Sequence, residues 1–258
     1  MLNRGDPGLK QFVHRLLQDS IVPFAAAGYE RRVDTPHIAA EDYACRVPTD
    51  PGRAQGRAIG EAGVPFAASI EQFDFRFRPD LKRQVVLRYL DPSFVEQAGT
   101  LTLIGPPGLG KTMLAICVAT KQVQLGYTAR FLTAQTLASQ VSRASTSLGR
   151  QRLLKPLRST DVLVLDELGY LPTVPAFGPA LYEIIAGRYR HKPTIITSNK
   201  SLTDWGAIVQ DVSVAAALVD RLMDGGQVFY LKGPSWRTKD LPDPRAGAPE
   251  PAPRTPHA

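Results

Sequence analysis

The 258-residue sequence contains little cysteine, methionine or tryptophan: two, three and two residues, respectively. Cys45 and Cys117 have neither the number nor the spacing of a disulfide framework or a metal-binding motif. No stretch approaches the roughly 18 apolar residues that a membrane-spanning helix needs, and the N-terminus lacks the apolar run of a secretory signal. These absences exclude disulfide-rich secreted and membrane-spanning proteins, and they predict a cytoplasmic protein with no membrane partner.

Acidic residues are missing from one long segment of the chain. Between Glu96 and Asp161 there is no aspartate or glutamate, whereas eight lysines and arginines fall in that interval. The formal net charge is +7, and residues 71–160 carry thirteen basic residues against five acidic ones. Because this excess is concentrated in one part of the chain, it favours a polyanionic partner such as nucleic acid or nucleotide.

The hydrophobic pattern divides the chain into three parts. Residues 1–69 form a small, poorly defined N-terminal segment, in which 9–28 has helical spacing and 31–63 is dominated by Pro, Gly, Arg and Ala. Residues 70–240 have the pattern of a folded domain. Residues 241–258 contain six prolines and predict a disordered tail.

Within the central part, short apolar runs alternate with longer amphipathic ones. The apolar runs predict strands at 100–105, 128–133, 161–167, 193–199 and 227–232. The intervening stretches predict helices at 111–126, 134–157 (interrupted around 145–149) and 179–190. Strands separated by helices imply right-handed crossovers, so we expect an α/β fold with a parallel sheet flanked by helices. Ligands bind such sheets beyond the carboxyl ends of the strands.

A glycine-rich segment follows the first predicted strand and precedes a predicted helix. Its sequence, GPPGLGKT, matches the phosphate-loop pattern GxxxxGK[ST] in the required context. Glycines let successive N–H groups converge on phosphates, and the N-terminus of the following helix adds partial positive charge. We expect Lys111 to reach the β- and γ-phosphates and Thr112 to bind Mg²⁺, whereas the alternative is a glycine-rich turn that matches by chance. The predicted nucleotide contacts in this segment are Gly105, Pro106, Pro107, Gly108, Leu109, Gly110, Lys111, Thr112 and Met113.

Polar side chains end the next two buried strands. Asp166 and Glu167 end the strand at 161–167, where Asp166 is placed to hold Mg²⁺ and Glu167 to polarise an attacking water. Acidic residues also follow strands as exposed positions or helix caps, which is the alternative. Asn199 ends the following strand and is predicted to orient the water, with an ordinary turn asparagine as the alternative.

Arg221 lies in the predicted helix LVDRLM, on the side opposite its apolar face. An arginine there can complete a neighbouring subunit's site by neutralising charge in the transition state. Spacing alone favours the alternative, which is a pair between Asp220 and Arg221 on a solvated helix.

The acid-free segment also supplies candidate DNA contacts. Repeated phosphate contacts of this kind give salt-sensitive and largely sequence-independent binding. A solvated helix face is an equally good interpretation of the same residues. The five candidates are Arg143, Arg150, Arg152, Lys155 and Arg158.

Several motifs together resemble the IstB-like ATP-binding proteins, which are helper ATPases of insertion-sequence transposition related to DnaC-type helicase loaders. The motifs that carry the resemblance are EQFDFRFRP, GPPGLGKTMLAI, LDELGYLP, TSNKSLTDW, LVDRLM and GPSWRTK, and they extend over residues 70–240. DELGYLP and TSNK distinguish the transposition helpers from the loaders better than the phosphate loop does.

The resemblance implies a P-loop NTPase of AAA+ type with a five-stranded sheet and no C-terminal helical lid. In that family pattern, Asn199 is the sensor, Arg221 is the arginine finger that acts on a neighbouring subunit, and Arg237 lies near the nucleotide. It implies ATP and Mg²⁺ as cofactors, an ATP-dependent oligomer on duplex DNA, and a partner transposase. The alternatives are a DnaC-like helicase loader and a nucleotide-gated scaffold that barely hydrolyses ATP. Residues 31–63 lack the amphipathic periodicity that relatives have in this region.

Overall fold

A five-stranded parallel sheet forms the centre of the protein. The computed structural model describes residues 59–169 and 174–239, together with the isolated residue 11. The strand order is β2–β3–β4–β1–β5, and each neighbouring pair is parallel. The strands are β1 (Thr100–Ile104), β2 (Ala129–Thr133), β3 (Val162–Leu168), β4 (Thr194–Ser198) and β5 (Gly226–Tyr230). The predicted α/β architecture and its five strands are therefore confirmed.

Helices cover both faces of the sheet. Those in the described part of the chain are α1 (Arg83–Leu87), α2 (Ser93–Glu96), α3 (Lys111–Gln124), α4 (Ala134–Arg143), α5 (Ser147–Ser159), α6 (Phe177–Arg188), α7 (Trp205–Val209) and α8 (Val212–Met223). The predicted interruption of the 134–157 helix is real and separates α4 from α5. It arises because the hydroxyl of Thr146 accepts the N–H of Gly149 and so caps the start of α5.

The sheet is buried on both faces because the central strands alternate between two apolar clusters. In β3, Val162 and Val164 pack with α3, whereas Leu163 and Leu165 pack with helices α4–α8. This alternation follows from the two-residue period of a strand, and it explains why the run VLVL shows no polar positions. Cys117 of α3 is 1% exposed and is a core residue, as expected.

One outer edge of the sheet is covered by the start of the described chain. The N–H of Phe131 in β2 donates to the carbonyl of Ala62 at 2.7 Å. Ala62 and Ala68 are buried against the α3 side of the sheet. Residues 59–68 thus contact the domain, while the chain divisions after residues 69 and 240 stay predictions. Apart from residue 11, the expected helix at 9–28, the segment 31–58 and the C-terminal tail lie outside the described residues.

A buried arginine fixes the amino-terminal end of the sheet. Arg188 at the end of α6 is 1% exposed and donates to the carbonyls of Leu157, Thr160 and Asp161, and to the hydroxyl of Thr194. Burial lowers the pKa of Arg188 to about 10, with Asp161 opposing the shift. These bonds join the end of α5 to the beginnings of β3 and β4. The bonds therefore fix the positions of β3 and β4 relative to each other, and the two strands carry this arrangement to the carboxyl edge of the sheet.

Among residues 59–169 and 174–239, no helix is long and apolar enough to span a membrane.

Candidate nucleotide-binding site

A cavity of about 670 Å³ opens at the carboxyl ends of β1, β3 and β4. Its polar lining is formed by residues 107–112 of the phosphate loop and by Glu167, Thr197 and Asn199. Phe73 and Trp236 also line the cavity, next to the phosphate loop. The glycine-rich loop and the acidic end of β3 therefore face the same space, which is the arrangement that a triphosphate site requires.

Two glycines of the phosphate loop stand where no other residue fits. Gly108 and Gly110 have φ angles of 77° and 87°, in the left-handed region that side chains rarely adopt. A Cβ at Gly108 would lie 1.9 Å from the hydroxyl oxygen of Ser235, and one at Gly110 would lie 2.6 Å from Cε2 of Phe73. Within the described chain, the backbone N–H groups of residues 108–112 donate no hydrogen bond. These unbonded donors, at the N-terminus of α3, are suited to binding phosphate oxygens.

Lys111 lies at the base of the phosphate loop and is 9% exposed. Its Nζ donates to the carbonyls of Gly105 and Pro106, each at 2.7 Å. Burial lowers the pKa of Lys111, while the charges of Asp166 and Glu167 act in the opposite direction. The ammonium group is thus held in the loop by weak carbonyl partners, for which phosphate oxygens are stronger substitutes.

The carboxylate of Asp166 connects β3 to the phosphate loop. The hydroxyl of Thr112 donates to Asp166 Oδ1 at 2.9 Å, and Asp166 is 3% exposed. The next residue, Glu167, is exposed, lines the cavity and has a φ of 59°. The pairing of β3 with β4 shifts register between Leu165 and Leu168, which is where these two carboxylates lie. The irregularity therefore allows Asp166 to be buried while Glu167 faces the cavity.

Thr197 of β4 holds both acidic residues and was missed by the sequence reasoning. Its hydroxyl donates to Asp166 Oδ1 and accepts the backbone N–H of Glu167 at 3.0 Å. Thr197 is 1% exposed, so water does not compete for these bonds. The residue lies in the quoted TSN motif, but a contact across 31 residues becomes visible only once β3 is paired with β4.

Asn199 follows β4 and lines the cavity. Its Oδ1 atom is buried and has no hydrogen-bond partner within the described residues. A Cβ on Gly169 would come within 2.3 Å of that oxygen, and Gly169 has a φ of 124°. Glycine at this position leaves room for the amide, and a buried amide oxygen without a partner is available to a hydrogen-bond donor in the cavity.

The remaining predicted residues fall into two groups. Arg237 and Met113 line the cavity, as the nucleotide assignment expects. Arg221 of α8 does not line it; its guanidinium lies 5.0 Å from the ring of Tyr182 and 5.8 Å from that of Tyr189. Arg221 forms no ion pair with Asp220, so the alternative favoured by spacing is absent from the described structure.

The five candidate DNA contacts lie at the end of α4 and along α5. Arg158 donates to Glu183 at 3.0 Å, so one of the five is engaged in an ion pair with α6. The other four form no ion pair within the described residues, and Arg143, Arg152 and Lys155 are exposed. Helices α4 and α5 pack on the face of the sheet opposite α3. None of the five residues lines the nucleotide cavity.

The donor set of the cavity fits Mg²⁺ and a triphosphate. Mg²⁺ prefers oxygen ligands and is bound in such sites by one or two carboxylates, a hydroxyl and phosphate oxygens. Thr112 and Asp166 supply a hydroxyl and a carboxylate whose oxygens already lie 2.9 Å apart. The unbonded N–H groups, Lys111 and Arg237 supply positive charge for the phosphates.

A phosphate loop after β1, an acidic pair on β3 and an asparagine directly after β4, the strand between them, define a P-loop ATPase of AAA+ type. The chain belongs to the family described as IstB-like ATP binding protein, whose pattern matches residues 25–242. The match begins upstream of the motifs at 70–240. The chain is similar to an insertion sequence IS5376 putative ATP-binding protein of Geobacillus stearothermophilus. The two are 37% identical over 69% of this chain and 70% of the relative. The corresponding IS21 protein of Pseudomonas aeruginosa is 35% identical over 73% of this chain and 71% of the relative.

Solved structures agree on the fold. DnaI superposes with a TM-score of 0.54 at 20% identity, covering 64% of this chain and 91% of that structure. The replication initiator DnaA, bound to AMPPCP and single-stranded DNA, gives a TM-score of 0.54 at 19% identity, covering 64% of this chain and 50% of that one. At these identities the similarity establishes the fold alone.

The contacts of Thr197 predict a specific defect in Thr197→Val. The isosteric change removes the hydroxyl that holds Asp166 and the Glu167 N–H, so kcat should fall about 10- to 100-fold, because a hydrogen bond to a charged group contributes about 1.5–3 kcal/mol. Affinity for ATP should change little, while more Mg²⁺ should be needed for half-maximal turnover. Steady-state ATPase assays at varied Mg²⁺ measure kcat and the Mg²⁺ requirement. The control Thr197→Ser keeps a hydroxyl and should restore activity. Equal turnover by the valine and serine variants would contradict the assignment.

Proposed function

We propose that this protein is a Mg²⁺-dependent ATPase that assembles on duplex DNA and cooperates with a transposase in insertion-sequence transposition. The observation that supports the ATPase part is one cavity bordered by the phosphate loop, Glu167 and Asn199, with Asp166 bonded to Thr112 beside it. The transposition part is supported by the insertion-sequence relatives at 37% and 35% identity.

Each side chain of the cavity has a distinct role in the proposed reaction. Lys111 and the unbonded N–H groups bind the phosphates, and Thr112 and Asp166 hold Mg²⁺. Glu167 accepts a proton from the attacking water, and the Asn199 amide orients that water. Bound Mg²⁺ supplies charge neutralisation at the phosphate oxygens. Arg237 also lines the cavity and adds positive charge; its field lowers the pKa of Lys111, an effect smaller than that of burial.

Arg221 acts in this proposal on the site of a neighbouring subunit. Its guanidinium is only half-buried and is held over two tyrosine rings on α6 and just beyond it. Since Arg221 does not line the cavity of its own chain, it can serve as an arginine finger only across an interface. This supports self-association into an ATP-dependent oligomer.

DNA binding is assigned to the basic residues of α4 and α5. Four of the five candidates have no anionic partner in the described chain, and they occupy a surface separate from the cavity. Repetition of these residues around an oligomer would multiply the phosphate contacts. The alternative function is that of a DnaC-like helicase loader. DnaI has the same fold, but at 20% identity this similarity does not decide between the two functions.

Two variants of the cavity should separate binding from hydrolysis. Lys111→Ala should weaken ATP binding about tenfold or more, because a charge-assisted contact contributes about 1.5–3 kcal/mol. Glu167→Gln should keep ATP affinity and lower turnover about 100-fold or more, which is the usual contribution of a general base. Fluorescent-nucleotide titration and single-turnover hydrolysis measure these effects. Wild-type cleavage by Glu167→Gln would show that Glu167 is not the base.

Charge reversal tests the basic surface. The double variant Arg150→Glu/Arg152→Glu should lose DNA retention while ATP binding persists, because reversed charges repel the phosphates. A matched control is Lys121→Glu/Arg130→Glu, which makes the same charge change at exposed residues outside α4 and α5. Electrophoretic mobility shifts over a range of salt concentrations measure retention. Unchanged DNA affinity in the first variant, or equal loss in the control, would remove the assignment.

Light scattering tests the assembly. With duplex DNA, we expect small species without ATP and a large DNA-bound assembly with ATP, because each site needs a neighbour's Arg221. Arg221→Ala should bind ATP with wild-type affinity but hydrolyse it slowly even when assembled. A single chain that hydrolyses ATP at the assembled rate, at concentrations where no oligomer exists, would exclude the proposed interface.

A further inference from the structure

Arg78 lies against the phosphate loop at the border of the nucleotide cavity and has no role in the function proposed so far. It is 2% exposed, yet it forms no ion pair with any residue in the described ranges. Burial lowers the pKa of Arg78, with the charge of Asp80 opposing the shift. A buried guanidinium without a carboxylate partner must have its N–H groups bonded elsewhere.

The guanidinium of Arg78 bonds to carbonyl groups from three segments of the chain. Nε donates to the carbonyl of Leu109 at 3.0 Å, and Nη2 donates to that of Gly108 at 3.4 Å. Nη2 also donates to the carbonyl of Pro234 at 2.7 Å, and Nη1 donates to that of Phe77 at 2.8 Å. Arg78 therefore joins three segments: the short 3₁₀ helix Phe75–Phe77 that precedes it, the phosphate loop, and a segment that follows β5.

That last segment, residues 233–239, is here named the C-terminal strap, and it touches the phosphate loop independently. The N–H of Trp236 donates to the carbonyl of Gly108 at 2.8 Å. The Trp236 ring packs edge-on against Phe77, with ring centres 5.0 Å apart. The strap also carries Arg237, which lines the cavity. One wall of the nucleotide cavity is thus attached to the phosphate loop.

The peptide geometry connects these contacts to phosphate binding. In a trans peptide, the carbonyl of one residue and the N–H of the next point in opposite directions. Because Arg78 draws the carbonyls of Gly108 and Leu109 toward itself, the N–H groups of Leu109 and Gly110 point away from it. Both belong to the set that donates no hydrogen bond in the described chain.

We propose that Arg78 is a positioning residue that orients the N–H groups of the phosphate loop and fastens the C-terminal strap to that loop. This inference rests on the proposed binding of ATP in the cavity. Nucleotide binding and strap docking are consequently coupled: a ligand on the loop stabilises the docked strap, and the docked strap strengthens the binding of the ligand. Lysine is no substitute, because its single ammonium lacks the planar set of five donors that reaches three segments.

The first test compares Arg78→Lys with the wild type by titration with a non-hydrolysable ATP analogue. The substitution should weaken binding about tenfold or more, since buried carbonyls lose their donors. The emission of Trp236 should also shift to longer wavelength as the strap leaves the loop, with Trp236→Phe giving the background from Trp205. Arg76→Lys is the matched control, because Arg76 is in the same segment and, among the described residues, pairs only with Asp74. Wild-type affinity in Arg78→Lys would overturn the proposal.

The second test needs no substitution at Arg78 and holds even if that variant fails to fold. Hydrogen exchange of the strap amides is measured in the wild-type chain with and without the same analogue. Coupling predicts exchange that is slower by several-fold in residues 233–239 when nucleotide is bound. Unchanged exchange in a chain that binds the analogue would overturn the role of Arg78. Failure of the wild-type chain to bind the analogue would instead overturn the proposed function.

Discussion

The site depends on one carboxylate that three chain segments share. Asp166 ends the regular part of β3, and its oxygens accept hydroxyl hydrogens from Thr112 at the start of α3 and from Thr197 on β4. These bonds require the carboxyl ends of β1, β3 and β4 to lie side by side, which the strand order β3–β4–β1 provides. The same Thr197 hydroxyl accepts the N–H of Glu167, so it holds both carboxylate residues at this edge of the sheet. The geometry of the site is therefore a consequence of the sheet topology.

The parts of the site that sequence alone predicts are those whose chemistry is local in the chain. The phosphate loop, Asp166 and Asn199 each stand at the end of a strand, where a change from apolar to polar residues marks the position. Thr197 and Arg78 were missed because their partners are distant: the contact of Arg78 with Pro234 spans 156 residues. A threonine in a buried strand and an arginine beside aromatic residues have common structural explanations. Only the packed fold shows which hydrogen bonds they make.

Two buried arginines of the described chain lie near opposite ends of the sheet, and both donate hydrogen bonds to backbone carbonyl groups. Arg188 bonds to backbone oxygens around the beginnings of β3 and β4, and Arg78 bonds to those of the phosphate loop and the strap. An ion pair joins a cation to one side chain, whereas a guanidinium bonded to several carbonyls fixes the backbone of several segments at once. The result at Arg188 is a fixed scaffold edge. Under our proposal, the hydrogen bonds from Arg78 likewise fix the backbone of the phosphate loop, which in turn binds the nucleotide.

The position of Arg221 explains why turnover and assembly should be linked in this protein. A single chain supplies the phosphate donors, the carboxylates and the polar amide of the site, but its Arg221 is held over tyrosine rings outside the cavity. In the proposed mechanism the transition-state charge is therefore completed by another chain. The basic residues of α4 and α5 lie apart from the cavity on the α8 side of the sheet, so bound DNA would leave the cavity open to nucleotide. Under this proposal, hydrolysis would respond to a neighbour's position, so ATP turnover would report that an assembly has formed on DNA.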